Sequence, residues 1–279
     1  MIARGMLMIY DLHIHSNKSD GKLNRFDLIN FAIENNCEYI SFTDHNYISD
    51  LKIYDSFIKG KGNLKLINGI EFDILNFKKM HILGYDIKNI KNVENQLKNI
   101  KQENIEICKR LILNLKEKYN FEIDINDLIS ANMSISKESI REILVQKGYA
   151  KNHLIAGDLY TGINSYRYEK TKSLTYEEVI KLIKESGGIS ILAHPSTLNI
   201  SDDQLLVLAK ALKNIGLDGM EVLNTSKTTN HQFKNYRNIA SKLDLLESCG
   251  SDFHREIYNK NMPIENDISK KLIYKIEGR

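Results

Sequence analysis

The chain has 279 residues, with 39 Lys+Arg against 36 Asp+Glu and a formal net charge of +3, too small a surplus for a protein that coats nucleic acid. Hydrophobic residues make up 42% and charged residues 27%, with 2 Pro and 3 Cys, which excludes collagen-like, disordered and disulfide-stapled classes. Such a length allows one large domain or a core domain carrying an insertion.

In chain order, residues 1–8 hold one Arg and too few apolar residues for a signal peptide, and no run approaches the roughly 18 apolar residues of a membrane span. Residues 8–13 read as a strand, 26–35 as an amphipathic helix and 39–42 as a second strand, followed by strands over 64–75 and 80–85. Residues 93–118 and 140–147 carry helical patterns with almost no strand signal around them. From residue 175 the alternation resumes: helix 176–186, strand 188–193, helix 202–215, strand 219–223, helix 231–243 and strand 245–249. Gly187-Gly188 and Gly216 sit where helix C-terminal caps belong. The stretch 262–279 carries no motif and ends in a surface helix. Repeated strand–helix units predict a parallel sheet closed into a barrel: an α/β fold, a distorted TIM-like (β/α)7 barrel. Its segments are 1–95 and 171–279, with 96–170 an inserted helical lid. Cys37, Cys108 and Cys249 are far apart and form no C-x-x-C pair, the pattern of a reduced cytoplasm.

Eight histidines stand out because six fall at or near predicted strand ends. His13 and His15 are two apart, so an extended strand projects both imidazoles from one face. Asp20 follows in a loop closed by Gly21. Taken alone, this H-x-H also fits a strand end with incidental histidines. Thr43-Asp44-His45-Asn46 ends the next strand, with Asn46 a candidate N-cap. Glu71 lies in an otherwise apolar strand, where an unpaired carboxylate is costly. His81 follows in the next strand. Pro195 is expected to hold His194 extended. Asp252 and His254 close the series. One barrel mouth would collect His13, His15, Asp20, His45, Glu71, His81, His194, Asp252 and His254. Imidazole and carboxylate donors without thiolate suit Zn, Mn or Fe, and nine donors exceed what one tetrahedral ion takes, so two or three ions are implied. Asp11 and Asp44 are candidate acceptors for the imidazole N–H groups.

These motifs resemble the polymerase and histidinol phosphatase (PHP) family of metal-dependent phosphoesterases: D-L-H-I-H-S-x-x-S-D-G, T-D-H-N, G-I-E, the isolated His81, A-H-P and G-S-D-F-H occur in the family's order. The resemblance runs from residue 8 to about 256. It implies a distorted β/α barrel with a trinuclear metal site at its mouth. His13, His15, Glu71 and Asp252 would hold a first ion; Glu71, His81 and His194 a second; Asp20, His45 and His254 a third. Glu71, Asp252 and His194 are the catalytic set so implied. The expected reaction is hydrolysis of a phosphomonoester of a nucleotide or nucleoside 3′,5′-bisphosphate, or 5′–3′ exoribonuclease action on short RNA, by attack of a metal-bridging hydroxide. Its partners would be a small phosphate ester or short oligonucleotide, with no membrane and no stable protein partner. One departure touches the substrate side. Where the family commonly has G-R-P-H, this chain has Ser136-Lys137-Glu138-Ser139, so a cation remains without the bidentate fork of Arg. Lys137, Arg141 and Arg167 are the substrate-binding candidates, although Arg141 also fits a solvated helix face. His153 and His231 read as surface or helix-packing residues. The competing functions are a histidinol-phosphate phosphatase, an amidohydrolase-type C–N hydrolase and a non-catalytic polymerase-associated metal module.

Overall fold

The computed structural model describes residues 8–75, 77, 79–130, 135–254, 264–266 and 268–278. The segment 1–7, read above for a signal peptide, and 255–263 lie outside the described residues. Among the described residues, no helix is long and apolar enough to cross a membrane.

The strands are β1 (Met8–Ile14), β2 (Tyr39–Phe42), β3 (Lys65–Asp73), β4 (His81–Tyr85), β5 (Ile189–Leu192), β6 (Gly219–Asn224), β7 (Leu246–Gly250) and β8 (Ile264–Asn266), in the order β7-β6-β5-β4-β3-β2-β1-β8. The helices are α1 (Arg25–Glu34), α2 (Asp55–Ile58), α3 (Ile90–Tyr119), α4 (Ile125–Ser130), α5 (Lys137–Gln146), α6 (His153–Ala156), α7 (Tyr176–Glu185), α8 (Asp202–Asn214), α9 (Asn230–Lys242) and α10 (Lys270–Glu277). Strands β1 to β7 form a nearly closed, distorted TIM-like barrel. Closure is made by backbone: Asp252 N donates to His13 O at 2.8 Å and His15 N to Phe253 O at 2.9 Å, joining the segment after β7 to β1.

Local chemistry explains the helices. α7, α8 and α9 each open on a reciprocal capping box, Thr175 with Glu178, Ser201 with Gln204 and Thr229 with Gln232, which satisfies donors the first turn leaves free. α7 then buries Val179, Ile180, Leu182 and Ile183. Gly187, at φ +73°, ends α7 in the left-handed region. The C-terminal helix α10 is amphipathic rather than wholly superficial: Leu272 and Ile273 are buried while Tyr274 faces solvent.

The sheet is not all parallel. β4 runs antiparallel to both β3 and β5, with Asp73 opposite His81 and Tyr85 opposite Ile189. Residues 74–80 are too few for the crossover a parallel pair needs, so the chain turns straight back. β8, which the hydrophobic pattern does not reveal, pairs antiparallel with β1.

The chain divides into two compact units, Met1–Asn95 with Leu174–Arg279, and Gln96–Ser173. In the first, α1 and the strands it covers pack Leu28, Ile29, Ala32, Ile40 and Phe42. The second is helical around Cys108, Leu111, Leu115, Leu128, Ile140 and Leu144.

Glycine is required where β7 passes β1. A Cβ on Gly250 would lie 2.3 Å from His13 Cβ and 2.6 Å from His13 N. Gly250→Ala is expected to lower the unfolding free energy in urea by about 1–3 kcal/mol, the usual cost of overpacking. An unchanged midpoint would refute this account of barrel closure.

Candidate metal centre

Strand direction decides which side chains meet. His13 near the end of β1, His15 just beyond it, His45 after β2, Glu71 in β3, His194 after β5 and Asp252 and His254 after β7 all lie towards the C-terminal ends of their strands. His81 is the first residue of β4. Because β4 is antiparallel, that start lies at the same end of the sheet, opposite Asp73. A His at a strand's beginning thus joins seven donors placed towards strand ends.

Glu71 is the hub. Its Oε1 lies 2.8 Å from His81 Nδ1 and 2.8 Å from His194 Nε2, while Oε2 lies 3.0 Å from His15 Nε2, 3.3 Å from His13 Nε2 and 3.5 Å from His45 Nε2. Asp252 Oδ1 faces His13 Nε2 at 3.6 Å, His15 Nε2 at 3.4 Å and His254 Nδ1 at 3.3 Å. Asp20 reaches His15 Nδ1 at 3.4 Å, His254 Nε2 at 3.3 Å and His45 Nε2 at 3.9 Å. All nine residues proposed from the motifs therefore meet in one place. Their donor atoms form three groups: His13, His15, Glu71 and Asp252; His45, Glu71 and His81; and His15, Asp20, His45 and His254. Three details differ from the motif-based grouping. His45 stands beside Glu71 and His81, His15 also reaches the Asp20 group, and His194, which touches Glu71 Oε1 at 2.8 Å, belongs to none of the three groups.

The donor set fits a cation. His13 Nε2, His15 Nε2, Glu71 Oε2 and Asp252 Oδ1 are buried and make no hydrogen bond among the described residues, although they crowd within 3.0–3.6 Å. Unsatisfied buried donors and acceptors cost about 1–3 kcal/mol each, more when charged. An ion among them would satisfy all four. Without one, protons take that place. Burial lowers the His15 pKa, but Asp20, Asp252 and Glu71 outweigh it and push it up to about 10. Burial likewise opposes Glu221, Glu71 and Asp252 at His13, and the carboxylates win, holding it well above its ordinary value. Burial would raise the carboxyls; the facing imidazoles instead hold Glu71, Asp252 and Asp20 below their usual range.

The residues that aim the imidazoles differ from those anticipated. Asp11 does not reach an imidazole; its Oδ1 accepts from the backbone N–H of His13 at 3.1 Å and of Ser251 at 3.0 Å, tying the two sides of the barrel seam. Asp44 accepts from Ser16 N at 2.6 Å and from Arg25 Nη2 at 2.7 Å, a buried pair that pins the loop from His15 to Asp20. Asn46 does not cap a helix; it donates to Asp73 at 2.7 Å. The imidazoles rest instead on Glu221, 3.0 Å from His13 Nδ1; Asp73, 3.0 Å from His45 Nδ1; and Thr197, 3.0 Å from His194 Nδ1. Holding Nδ1 leaves Nε2 free to face the cluster. Glu221 had a readable signal, a lone carboxylate in the apolar run Gly219-Met220-Glu221-Val222-Leu223, as Glu71 has. Asp73 and Thr197 had none.

His194 is not extended. It sits at φ +22°, ψ +67°, with its N–H donating to Glu221 Oε2 at 2.7 Å. Pro195 opens a one-turn 3₁₀ helix that turns the chain there. Asp252 is also left-handed, at φ +56°. Such conformations cost of order 1–3 kcal/mol each and persist because the surroundings over-determine them.

The cations proposed for substrate lie in the helical unit and are engaged within it. Arg141 pairs with Glu138 at 2.6 Å and donates to Thr161 at 2.7 Å; Arg167 pairs with Glu117 at 2.7 Å; Lys137 donates to the Glu169 carbonyl and lies over the Tyr168 ring. His153 pairs with Glu142 at 2.6 Å, and His231 is exposed in the first turn of α9, beside Asn235.

A family model described as PHP domain matches residues 11–194. A Haemophilus influenzae protein named 5′-3′ exoribonuclease is 27% identical over 88% of this chain and 89% of its own. A Chromobacterium violaceum protein named 3′,5′-nucleoside bisphosphate phosphatase is 24% identical over 88% and 86%. A solved structure from Chromobacterium violaceum, named as an amidohydrolase, superposes with a TM-score of 0.70 at 21% identity, covering 96% of each chain; that likeness is one of fold.

Two predictions follow from the donor set. His15 carries a proton whose contribution to metal-free stability is complete below pH 6.5 and lost as pH rises through about 10. A bound cation must displace it, so affinity for Mn²⁺ is expected to rise with pH between these values, with protons released on binding. A pH-independent affinity, measured by calorimetry in buffers of different ionisation enthalpy, would refute proton–metal competition. Glu221→Gln turns one acceptor oxygen into an NH₂ donor, leaving a single acceptor for both the His13 ring N–H and the His194 backbone N–H. Metal affinity is expected to fall about 10–100-fold, and an unchanged stoichiometry and affinity would remove Glu221 from this role.

Proposed function

Because the chain belongs to the PHP domain family, we propose that it is a metal-dependent phosphoesterase that cleaves a phosphomonoester of a nucleotide or nucleoside 3′,5′-bisphosphate, or acts from the 5′ end of short RNA. The observation that carries this reading is the meeting of nine imidazole and carboxylate side chains in one place, five of the histidines lying against Glu71, with four buried donor atoms left for a cation. The names of the two relatives above support the substrate class.

Two or three divalent ions, Mn, Zn or Fe, suit this donor set. When bound, such ions supply a Lewis acid for phosphate oxygens and lower the pKa of coordinated water. His13, His15, Glu71 and Asp252 would hold one; Glu71 with His81 and His194 a second; Asp20, His45 and His254 a third. The protein's own work is orientation and charge. Hydrogen bonds with Glu221 and Thr197, and the ion-pair contact of Asp73 with His45 Nδ1, fix which ring nitrogen faces inward. Glu71, with an oxygen towards each side of the cluster, keeps the donor groups in one register. The groups meet at a carboxylate, not at the bridging lysine or lone terminal aspartate of the amidohydrolase type.

The inserted helical unit is assigned to substrate recognition through Lys137, Arg141 or Arg167, each of which must leave its present partner to do so. We place the protein in the cytoplasm, a reading its three buried free cysteines support.

The test is a phosphate-release screen of Mn²⁺-loaded protein with nucleoside 3′,5′-bisphosphates, mononucleotides, histidinol phosphate and short 5′-phosphorylated RNA, the RNA products resolved by length. Turnover is expected on the nucleotide esters or RNA. Turnover confined to histidinol phosphate would overturn the substrate class, and none on any ester would overturn the catalytic reading.

A further inference from the structure

Lys227 lies in the loop between β6 and α9, and its ammonium contacts Asp252 Oδ2, the carboxylate oxygen turned away from the imidazoles. It is the one lysine or arginine, among the described residues, that pairs with a carboxylate of the donor set Asp20, Glu71 and Asp252. Arg25 is also nearby in sequence terms, but its guanidinium is locked into the buried pair with Asp44. Lys227 differs: its side chain is 37% exposed while that of Asp252 is 1% exposed, so the ammonium stands between solvent and the cluster.

The loop is built to hold it there. Ser226 donates to Ser251 O at 2.7 Å and Thr225 N to Gly250 O at 3.0 Å, fastening the loop to the segment that carries Asp252. Lys227 N and Thr228 N both donate to Asn224 O, closing a turn that fixes the lysine's stem. Asn224 Nδ2 also lies 3.4 Å from Asp252 Oδ2, so this oxygen keeps a donor when the ammonium departs.

We propose that Lys227 is a substrate-binding residue that exchanges Asp252 for a phosphate oxygen of the ester. The inference rests on the phosphoesterase reading above. Asp252 holds the ammonium on Oδ2, while three imidazoles face its Oδ1. A cation on Oδ1 meets the carboxylate's charge, and the lysine then becomes a surplus positive group at the rim of the site. A phosphate dianion is its natural partner, and a lysine on a flexible stem can reach it as a point charge.

The experiment compares Lys227→Met and Lys227→Arg with wild type, all Mn²⁺-loaded, by metal content, inorganic phosphate affinity in calorimetry, and steady-state kinetics. Lys227→Met is expected to keep its metal, bind inorganic phosphate about 10-fold more weakly and show a raised KM, with Lys227→Arg recovering most of both. Equal phosphate affinity in Lys227→Met and wild type overturns the proposal. Loss of metal in Lys227→Met, restored with unchanged phosphate affinity at higher Mn²⁺, also overturns it and leaves Lys227 as a brace for Asp252. If wild type turns over no ester yet loses phosphate affinity in Lys227→Met, the phosphoesterase reading falls while the anion site stands.

Discussion

A buried carboxylate surrounded by imidazoles is the constraint on which the rest of this molecule turns. Glu71 is 1% exposed and lies within 3.5 Å of five histidines. Burying one ion uncompensated costs several kcal/mol, whereas an opposite charge 4 Å away returns about 4 kcal/mol at an effective dielectric of 20. Glu71 is tolerable only if its neighbours carry positive charge, as protons or as ions. The raised histidines and depressed carboxyls are both expressions of that single demand.

Meeting the demand requires five strand ends to be brought to one point, and the barrel does this. Its seam matters most, because Asp252 and His254 come from the far end of the chain and reach His13 and His15 through backbone bonds between the segment after β7 and β1. These two donors also lie beyond the part matched by the family model, residues 11–194. The reversal of β4 is the other device. It exchanges a long crossover for a short turn and delivers His81 from a strand's beginning instead of its end.

Around the donors lies a polar scaffold that consumes buried groups to hold geometry. Glu221 uses one oxygen to fix the His13 ring and the other to hold the left-handed backbone of His194. Asp44, Ser16 and Arg25 pin the loop carrying Asp20, a buried pair whose breakage would cost about 3–5 kcal/mol. Preorganisation of this kind is what a site needs when its ligands are to be aimed before any ion or substrate arrives.

What the amino-acid order determined by itself is the chemistry: nine donors, their types, their placement near strand ends and the helices between. Periodicity and capping residues are local, and so are H-x-H and D-F-H spacings, which is why they could be read directly. Glu221 could have been read the same way, as an acid in an apolar strand. The direction of β4, the left-handed His194, the partners of Asp11, Asp44 and Asn46, and the contact of Lys227 with Asp252 were decided only by tertiary structure. Each depends on which strands become neighbours, since a hydrogen bond spans about 3 Å regardless of whether its ends are 28 or 240 residues apart. The sequence names the donors, and the closing of the barrel chooses what holds them.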